Sequence, residues 1–276
     1  MKRLYRNAFV PAIAALILTA CSSQSVDTNN AIAFSRLADN RYVVYEGSSE
    51  AYFSDKDINE FDTVSLVLPT VIGTHDIRPL QDSIFMAAFD TTGVEHQALI
   101  DGFFDKVSDL GQYKARIVKS DSLSLQTADG YNSVNGIVIS LTGRFLVYCV
   151  TKDYYEPRAA HGASLKKYIN YNIITGRFIT LADIFTADGM KELPALIAER
   201  ANSIRSSIGP TDITSLPSGG NFYISPDEEI VFVYQEYEVA SYAQGIISIS
   251  FSPYELTKYM TPEAIDLFGL QDLGNV

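Results

Sequence analysis

Three histidines, His75, His96 and His161, are the side chains of this sequence that titrate near neutral pH. No two of them lie four residues apart, and neither an HExxH segment nor paired Cys-x-x-Cys motifs occur. A Gly-x-Ser-x-Gly elbow and a glycine-rich phosphate loop are also missing. Local motifs therefore predict no metal site, no cofactor and no catalytic residue. A zinc site or a serine triad assembled from distant residues stays open, because such sites have no fixed order in sequence.

Carboxylates form two groupings that could bind calcium or act as an acid and a base. Residues 226–229, Pro-Asp-Glu-Glu, match no calcium loop and precede a predicted strand, so a solvated turn is favoured. Asp153 and Glu156 lie beside Tyr154 and Tyr155, a pairing compatible with glycoside chemistry. One such pair among 33 acidic residues is weak evidence for an enzyme.

Tyrosine is abundant, with 17 residues and no tryptophan, and six tyrosines fall between residues 223 and 259. A tyrosine ring has a broad apolar face and a polar tip, so it suits both the edge of a core and a binding surface. Packing and binding both stay open for this set. The residues that we predict to contact a partner are Tyr234, Tyr237, Glu238, Tyr242 and His161.

The first 20 residues are typical of a secretory leader. Lys2, Arg3 and Arg6 precede an apolar stretch over residues 8–17, which is half the length that a membrane span needs. The following Leu-Thr-Ala-Cys resembles the bacterial lipobox, in which the cysteine is diacylated and the leader is cut before it. We predict a signal peptide at 1–20, lipid attachment at Cys21 and a polar tether at 21–34. Plain secretory cleavage after Ala20 is the alternative.

The formal net charge of −12 restricts the partners of the chain. Because the leader is basic, the chain that begins at Cys21 is still more acidic. Such a surface repels phosphate, so neither nucleic acid nor anionic lipid is an expected partner. A basic protein is the partner that long-range charge would attract. Cys149, the second cysteine, lies in an apolar run and is predicted to be a buried, inert thiol.

Two modules follow the tether. The first, residues 35–130, has strand-like runs at 41–45 and 63–68, the latter ended by Pro69, and a further strand at 115–125. Between them Leu99, Ile100, Phe103, Phe104 and Val107 recur at helical spacing.

The second module, residues 131–270, has hairpin signals. Predicted strands at 134–141 and 144–154 are joined through Thr-Gly, as are those at 166–173 and 177–180. A helix then ends at Gly209-Pro210, and alternation over 245–251 predicts a strand with one wet face. Ser252-Pro-Tyr-Glu255 is typical of a capping box, and Thr261-Pro-Glu263 is a second helix start. The fold class predicted is α+β, mainly antiparallel sheet with packed helices. Whether the two modules share one sheet is left open.

Several blocks in the second module resemble a known domain. They are 221–225, 230–234, 237–245 and 252–256, together with Ala-His-Gly at 160–162 and the hairpin-helix stretch 171–185. They are similar to the C-terminal envelope domain of the anti-sigma factor RsiV and the deacetylase PdaC, domain of unknown function 3298. The first module looks more loosely like its companion, domain of unknown function 4163.

The resemblance implies an extracytoplasmic α+β module, which in RsiV recognises lysozyme. This chain shows neither the sigma-binding segment nor a deacetylase domain, so neither activity is carried over. We expect a periplasm-facing, lipid-anchored binding module for a cell-wall-related ligand or a basic protein such as lysozyme. An envelope hydrolase built around His161 and a purely structural lipoprotein are the alternatives.

Overall fold

The computed structural model of the protein describes residues 16–17, 31–46, 57–93, 95–108, 115–118 and 128–271. Its strands are β1 (Leu16–Ile17), β2 (Ile32–Tyr45), β3 (Ile58–Ile72), β4 (Ala115–Val118), β5 (Gly130–Leu141), β6 (Phe145–Tyr155), β7 (Ala163–Asn172), β8 (Arg177–Ile179), β9 (Phe222–Ile224), β10 (Ile230–Tyr234) and β11 (Ile247–Phe251). Its helices are α1 (Arg78–Phe89), α2 (His96–Ser108), α3 (Leu181–Ile184), α4 (Ala187–Ser203), α5 (Arg205–Ile208), α6 (Pro253–Leu256) and α7 (Pro262–Leu267). Short 3₁₀ turns cover Ser218–Gly220, Tyr242–Gln244 and Thr257–Tyr259. The α+β class, with mainly antiparallel sheet, is confirmed.

The two predicted modules share one sheet. Its order is β1-β2-β3-β5-β6-β7-β8, with β4 paired to β2 as well. All pairs are antiparallel except β3 with β5, which run parallel from Glu60 opposite Gly130 to Leu66 opposite Gly136. Parallel neighbours need a long crossover connection, and here α1, α2 and β4 lie between the two strands.

The central strand β6 separates two cores. Phe145 and Val147 face one core, while Leu146, Tyr148 and Val150 face the other. Successive side chains of a strand point to opposite faces, so a strand covered on both sides is a continuous apolar run. This covering accounts for the run that the sequence shows around Cys149, whose thiol is buried and free of any disulfide.

Helices α1 and α2 cover one face of the main sheet. The buried residues of α1 are Leu80, Ile84, Phe85 and Ala88, which recur at helical spacing. The predicted helix is confirmed: in α2, Leu99, Ile100 and Phe104 are buried and Phe103 is half-buried, while the side chain of Val107 lies outside those that the structure describes. Within the described residues no helix has the length and apolarity that a membrane crossing requires.

A smaller antiparallel sheet, β9-β10-β11, covers the other face together with α4. In β11 Ile247, Ile249 and Phe251 are buried while Ser248 is exposed, as the alternation predicts. The capping box at Ser252 and the cap at Thr261, which accepts from the Ala264 N–H, are present. The helical stretch ends at Gly209, where the sequence predicts its end.

Two predicted boundaries differ from the structure. Pro69 does not end its strand, because β3 continues to Ile72. The pairing of β3 with β5 stops at Leu66, before the proline, and the register of β2 shifts opposite Pro69. The N–H that proline lacks is therefore not needed for regular strand pairing at this position. The last residues of the predicted tether, 21–34, belong to the sheet: β2 begins at Ile32, and Phe34 packs against the α1–α2 core, while residues 21–30 lie outside the described part of the chain.

Candidate functional site

Three of the predicted binding residues meet at one exposed surface, which we name the aromatic cluster: His161, Tyr237 and Tyr242. The imidazole stacks on the Tyr242 ring, with centroids 3.7 Å apart and planes at 22°. Its Nε2 atom lies 3.1 Å from the Tyr237 hydroxyl, and the two tyrosine rings are 5.7 Å apart. Tyr237 is 63 % exposed, so its ring is accessible to a partner.

The hydrogen bonds of His161 define its neutral tautomer. Nδ1 lies 2.9 Å from the Gly162 carbonyl oxygen, which can only accept, so Nδ1 carries the proton. When the ring is neutral, Nε2 accepts from the Tyr237 hydroxyl. Both ring nitrogens are therefore engaged, one by backbone and one by a phenol.

Tyr237 is presented by a tight turn. Its backbone has a φ of 65°, in the left-handed region that a residue with a side chain adopts only when the surroundings hold it. The Glu238 carboxylate accepts from the N–H groups of Gln235, at 2.7 Å, and Ser218, at 2.6 Å. Glu238 therefore braces the turn, and both of its oxygens are occupied.

Tyr242 is held by a capped 3₁₀ turn. Ser241 and Gln244 form a capping box around Tyr242–Gln244. The Gln244 amide also donates to the carbonyl oxygens of Ile208 and Pro210, which ties the turn to the end of α5. The pKa of Tyr242 is raised, because partial desolvation and then the Glu236 carboxylate disfavour the phenolate.

The turn that carries Tyr237 is bonded to the edge of β7. Most of this edge is open, because β8 pairs only with Asn170–Asn172. Side chains replace the missing strand. The N–H groups of Ser164, Lys166 and Tyr168 donate to the side chains of Glu236, Gln235 and Asn221 respectively. These three residues carry no periodic signal, so sequence reasoning could not single them out.

Tyr234 lies elsewhere than predicted. It is fully buried, its hydroxyl donates to the Ser215 carbonyl oxygen at 2.9 Å, and burial raises its pKa. Its ring is inward because β10 is buried along its whole length. Assigning Tyr234 to a contact surface is therefore corrected: it belongs to the core between the main sheet, α4 and the smaller sheet.

The other two histidines are dispersed. His75 Nε2 lies 3.0 Å from the Ile173 carbonyl oxygen, and His96 packs against the Phe85 ring. Neither shares a site with His161. Among the described residues no group of three or more His, Cys, Asp or Glu is arranged to hold a metal ion.

Two of the carboxylates considered as acid or base, Asp153 and Glu228, have structural contacts. Asp153 accepts from the Ser164 hydroxyl at 2.6 Å, and Glu228 pairs with Arg144 at 3.1 Å. Glu228 lies beside Asp227 and Glu229 at a hollow of about 390 Å³. Cys21 and the leader, apart from β1, lie outside the described residues.

Comparison with known proteins finds a family match within the C-terminal half of the chain. Residues 182–255 match the family described as Protein of unknown function (DUF3298). This stretch contains Tyr237 and Tyr242, whereas His161 precedes it. No curated protein matches the chain.

Two crystal structures share the fold. One is a member of the DUF3298 family from Bacteroides fragilis, with a TM-score of 0.60 and 18 % identity over 86 % of this chain and 96 % of that chain. The other is a DUF3298 family protein from Pseudomonas aeruginosa, with a TM-score of 0.55 and 12 % identity over 86 % and 98 % of the two chains. At these identities the likeness establishes the fold alone. The chain thus carries a DUF3298 domain at residues 182–255, within a fold shared by DUF3298 family proteins.

Proposed function

We propose that this protein is a lipid-anchored, extracytoplasmic binding module without enzymatic activity, and that its aromatic cluster contacts a basic protein such as lysozyme. The observation that carries the proposal is the exposed Tyr237 ring, held in place by His161 and by a braced turn. An aromatic side chain ordered before binding loses little entropy when a partner docks. Exposed tyrosines of this kind are common binding hot spots.

Charge supports a basic partner. The chain carries a net charge of −12, and the Glu236 carboxylate lies close enough to influence Tyr242. A lysine or arginine placed over a tyrosine face gains from the ring quadrupole, and an adjacent carboxylate strengthens the attraction. A cell-wall fragment is the second candidate, since the open face of Tyr237 also suits stacking against a sugar ring.

The contacts of His161 favour binding over hydrolysis. In a serine triad the histidine accepts from a serine hydroxyl through one nitrogen and donates to a carboxylate through the other. The partners of His161 are instead the Gly162 carbonyl and the Tyr237 hydroxyl. An envelope hydrolase built around His161 therefore lacks the serine and carboxylate contacts of such a triad.

Isothermal titration calorimetry at low salt tests the proposal, with hen lysozyme and a soluble muropeptide as the two probes. We expect saturable lysozyme binding that weakens as salt is added. Tyr237→Ala should reduce the affinity by about 2 kcal/mol, roughly thirtyfold, as loss of a hot-spot ring does.

The matched control is Tyr254→Ala. Tyr254 is 61 % exposed but lines the hollow beside Asp227, away from the aromatic cluster. It should bind lysozyme as the unaltered protein does. Muropeptide binding that depends on Tyr237 would select the second candidate. If neither probe binds, the proposal fails and the structural-lipoprotein alternative takes its place.

A further inference from the structure

A second concave site lies apart from the aromatic cluster. It is a groove of about 550 Å³ beside β7 and β8, bounded also by α1, α4 and the turn around Ser218–Gly220. Its volume falls in the range of roughly 300–1,000 Å³ that small-molecule sites occupy. Neither the proposed binding surface nor the family match assigns any role to this groove.

The lining of the groove is mostly apolar, with one charge. Much of the wall is formed by apolar side chains: Phe178, Leu181, Met190, Leu216 and Phe222. Lys167 is the one positively charged residue of the lining, whereas the net charge of the chain is negative. No aspartate or glutamate is among the lining residues, although the chain has 33. The nearby Asp183 is engaged by the backbone N–H and the hydroxyl of Thr180.

Lys167 is held at the rim by the Ser218–Gly220 turn. Its Nζ donates to the Gly219 carbonyl oxygen at 3.2 Å. Gly219 has a φ of +61°, and a Cβ there would come within 3.3 Å of Nζ, so glycine both permits the turn and leaves room for the ammonium group. The pKa of Lys167 is lowered because the surrounding protein partly excludes water from its charge.

We propose that this groove binds an amphiphilic monocarboxylate, with its alkyl chain against Phe178, Leu181 and Leu216 and its carboxylate on Lys167. An apolar chain gains by leaving water for an apolar wall. The lone ammonium group lacks a carboxylate partner in the lining, so a ligand carboxylate would supply a charge-assisted hydrogen bond there. A single positive charge in a mostly apolar lining suits a ligand that has one carboxylate and one alkyl chain.

Decanoate, kept below its micelle concentration, is the probe, and the full chain is titrated by calorimetry. We expect saturable binding with one site. Lys167→Met keeps an unbranched side chain, one heavy atom shorter, and removes its charge. It should weaken decanoate binding at least tenfold while leaving the binding of the uncharged decanol unchanged.

Two further variants keep the result interpretable. Leu216→Trp fills the groove and should abolish the binding of both probes, with circular dichroism showing an unchanged fold. Lys258→Met is the matched control, because the Lys258 ammonium lies over the Tyr259 ring and not in the groove. It should bind decanoate normally, as should Tyr237→Ala.

The proposal is overturned by any of three results. If the Lys167→Met and unaltered proteins bind decanoate with equal affinity, the charge of Lys167 has no role in binding. Binding that survives Leu216→Trp places the ligand elsewhere. Absence of saturable binding by the unaltered protein removes the site. None of these outcomes bears on the aromatic cluster, whose probes and variants are different.

Discussion

His161 Nε2 lies 3.1 Å from the Tyr237 hydroxyl, although the two residues are 76 positions apart in the chain. This bond joins the segment that connects β6 to β7 with the turn that follows β10. The two segments belong to different sheets, so the bond connects the main sheet to the smaller one at the exposed rim of the interface. Whatever displaces one segment therefore disturbs the other.

This bond is testable without any ligand. His161→Ala and Tyr237→Phe each remove one partner, so a double-mutant cycle isolates their interaction. We expect a coupling energy of about 0.5–1 kcal/mol in the free energy of unfolding, measured with urea, as for an ordinary hydrogen bond. Additive effects within about 0.3 kcal/mol would show that the bond is not formed in solution.

Asn221 should be the most costly of the polar residues at the β7 edge. Its buried amide accepts from the Tyr168 N–H and donates to the carbonyl oxygens of Lys166 and Val233. Asn221→Ala leaves these backbone groups without partners away from water, so we expect unfolding in urea to need about 3 kcal/mol less. Asn40→Ala, at an exposed position of β2, is the control and should change stability by less than about 0.5 kcal/mol. Equal effects would refute this role for Asn221.

Gly136 permits a close approach inside the main sheet. A Cβ there would collide with the Tyr148 hydroxyl and lie 2.6 Å from Leu66 Cδ2. We expect Gly136→Ala to lower the free energy of unfolding by about 2–3 kcal/mol, as overpacking does. Adding Tyr148→Phe removes the hydroxyl and should restore part of that loss. Gly143→Ala, where a Cβ meets nothing within 4 Å, should be close to neutral.

Asp76 should titrate well below its ordinary range. The Arg78 side chain, and then its backbone N–H, lower the pKa of this carboxyl from 3.8 to about 2. A lowered pKa contributes stability that is present above pH 3.8 and is lost as the pH falls towards 2. Because the group is exposed, this contribution is small. An NMR titration of the Asp76 carboxyl carbon should give a midpoint near pH 2. Arg78→Gln should raise that midpoint. A midpoint near pH 3.8 in the unaltered protein would contradict the Asp76–Arg78 contact.

Lipid attachment at Cys21 remains a prediction from sequence. Cys21→Ser removes the thiol that would be acylated, so the protein should leave the membrane fraction or keep its leader. Metabolic labelling with a radioactive fatty acid, followed by fractionation, measures this directly. Cys149→Ser is the control and should be labelled as strongly as the unaltered protein, since that thiol is buried in the sheet. Continued labelling of Cys21→Ser would rule out this residue as the attachment site.

The sequence alone determined most of the elements of the second module. Hairpins at Thr-Gly turns, the alternation of β11, the helix that ends at Gly209 and the capping boxes all depend on residues close together in the chain. Hydrophobic periodicity and turn-forming residues predict these elements, because strand alternation, turns and helix caps each depend on only a few neighbouring residues. Residues 182–255, which match the DUF3298 family, lie in the same module.

Only the tertiary structure decided what those elements build. The parallel pairing of β3 with β5 unites both modules, and it depends on two strands separated by a long crossover. The inward ring of Tyr234 and the outward ring of Tyr237 are three residues apart, and no local pattern separates them. Burial and contact depend on which surfaces meet after the chain folds. The sequence could therefore name His161, Tyr237 and Tyr242, but their meeting at one surface is a property of the fold.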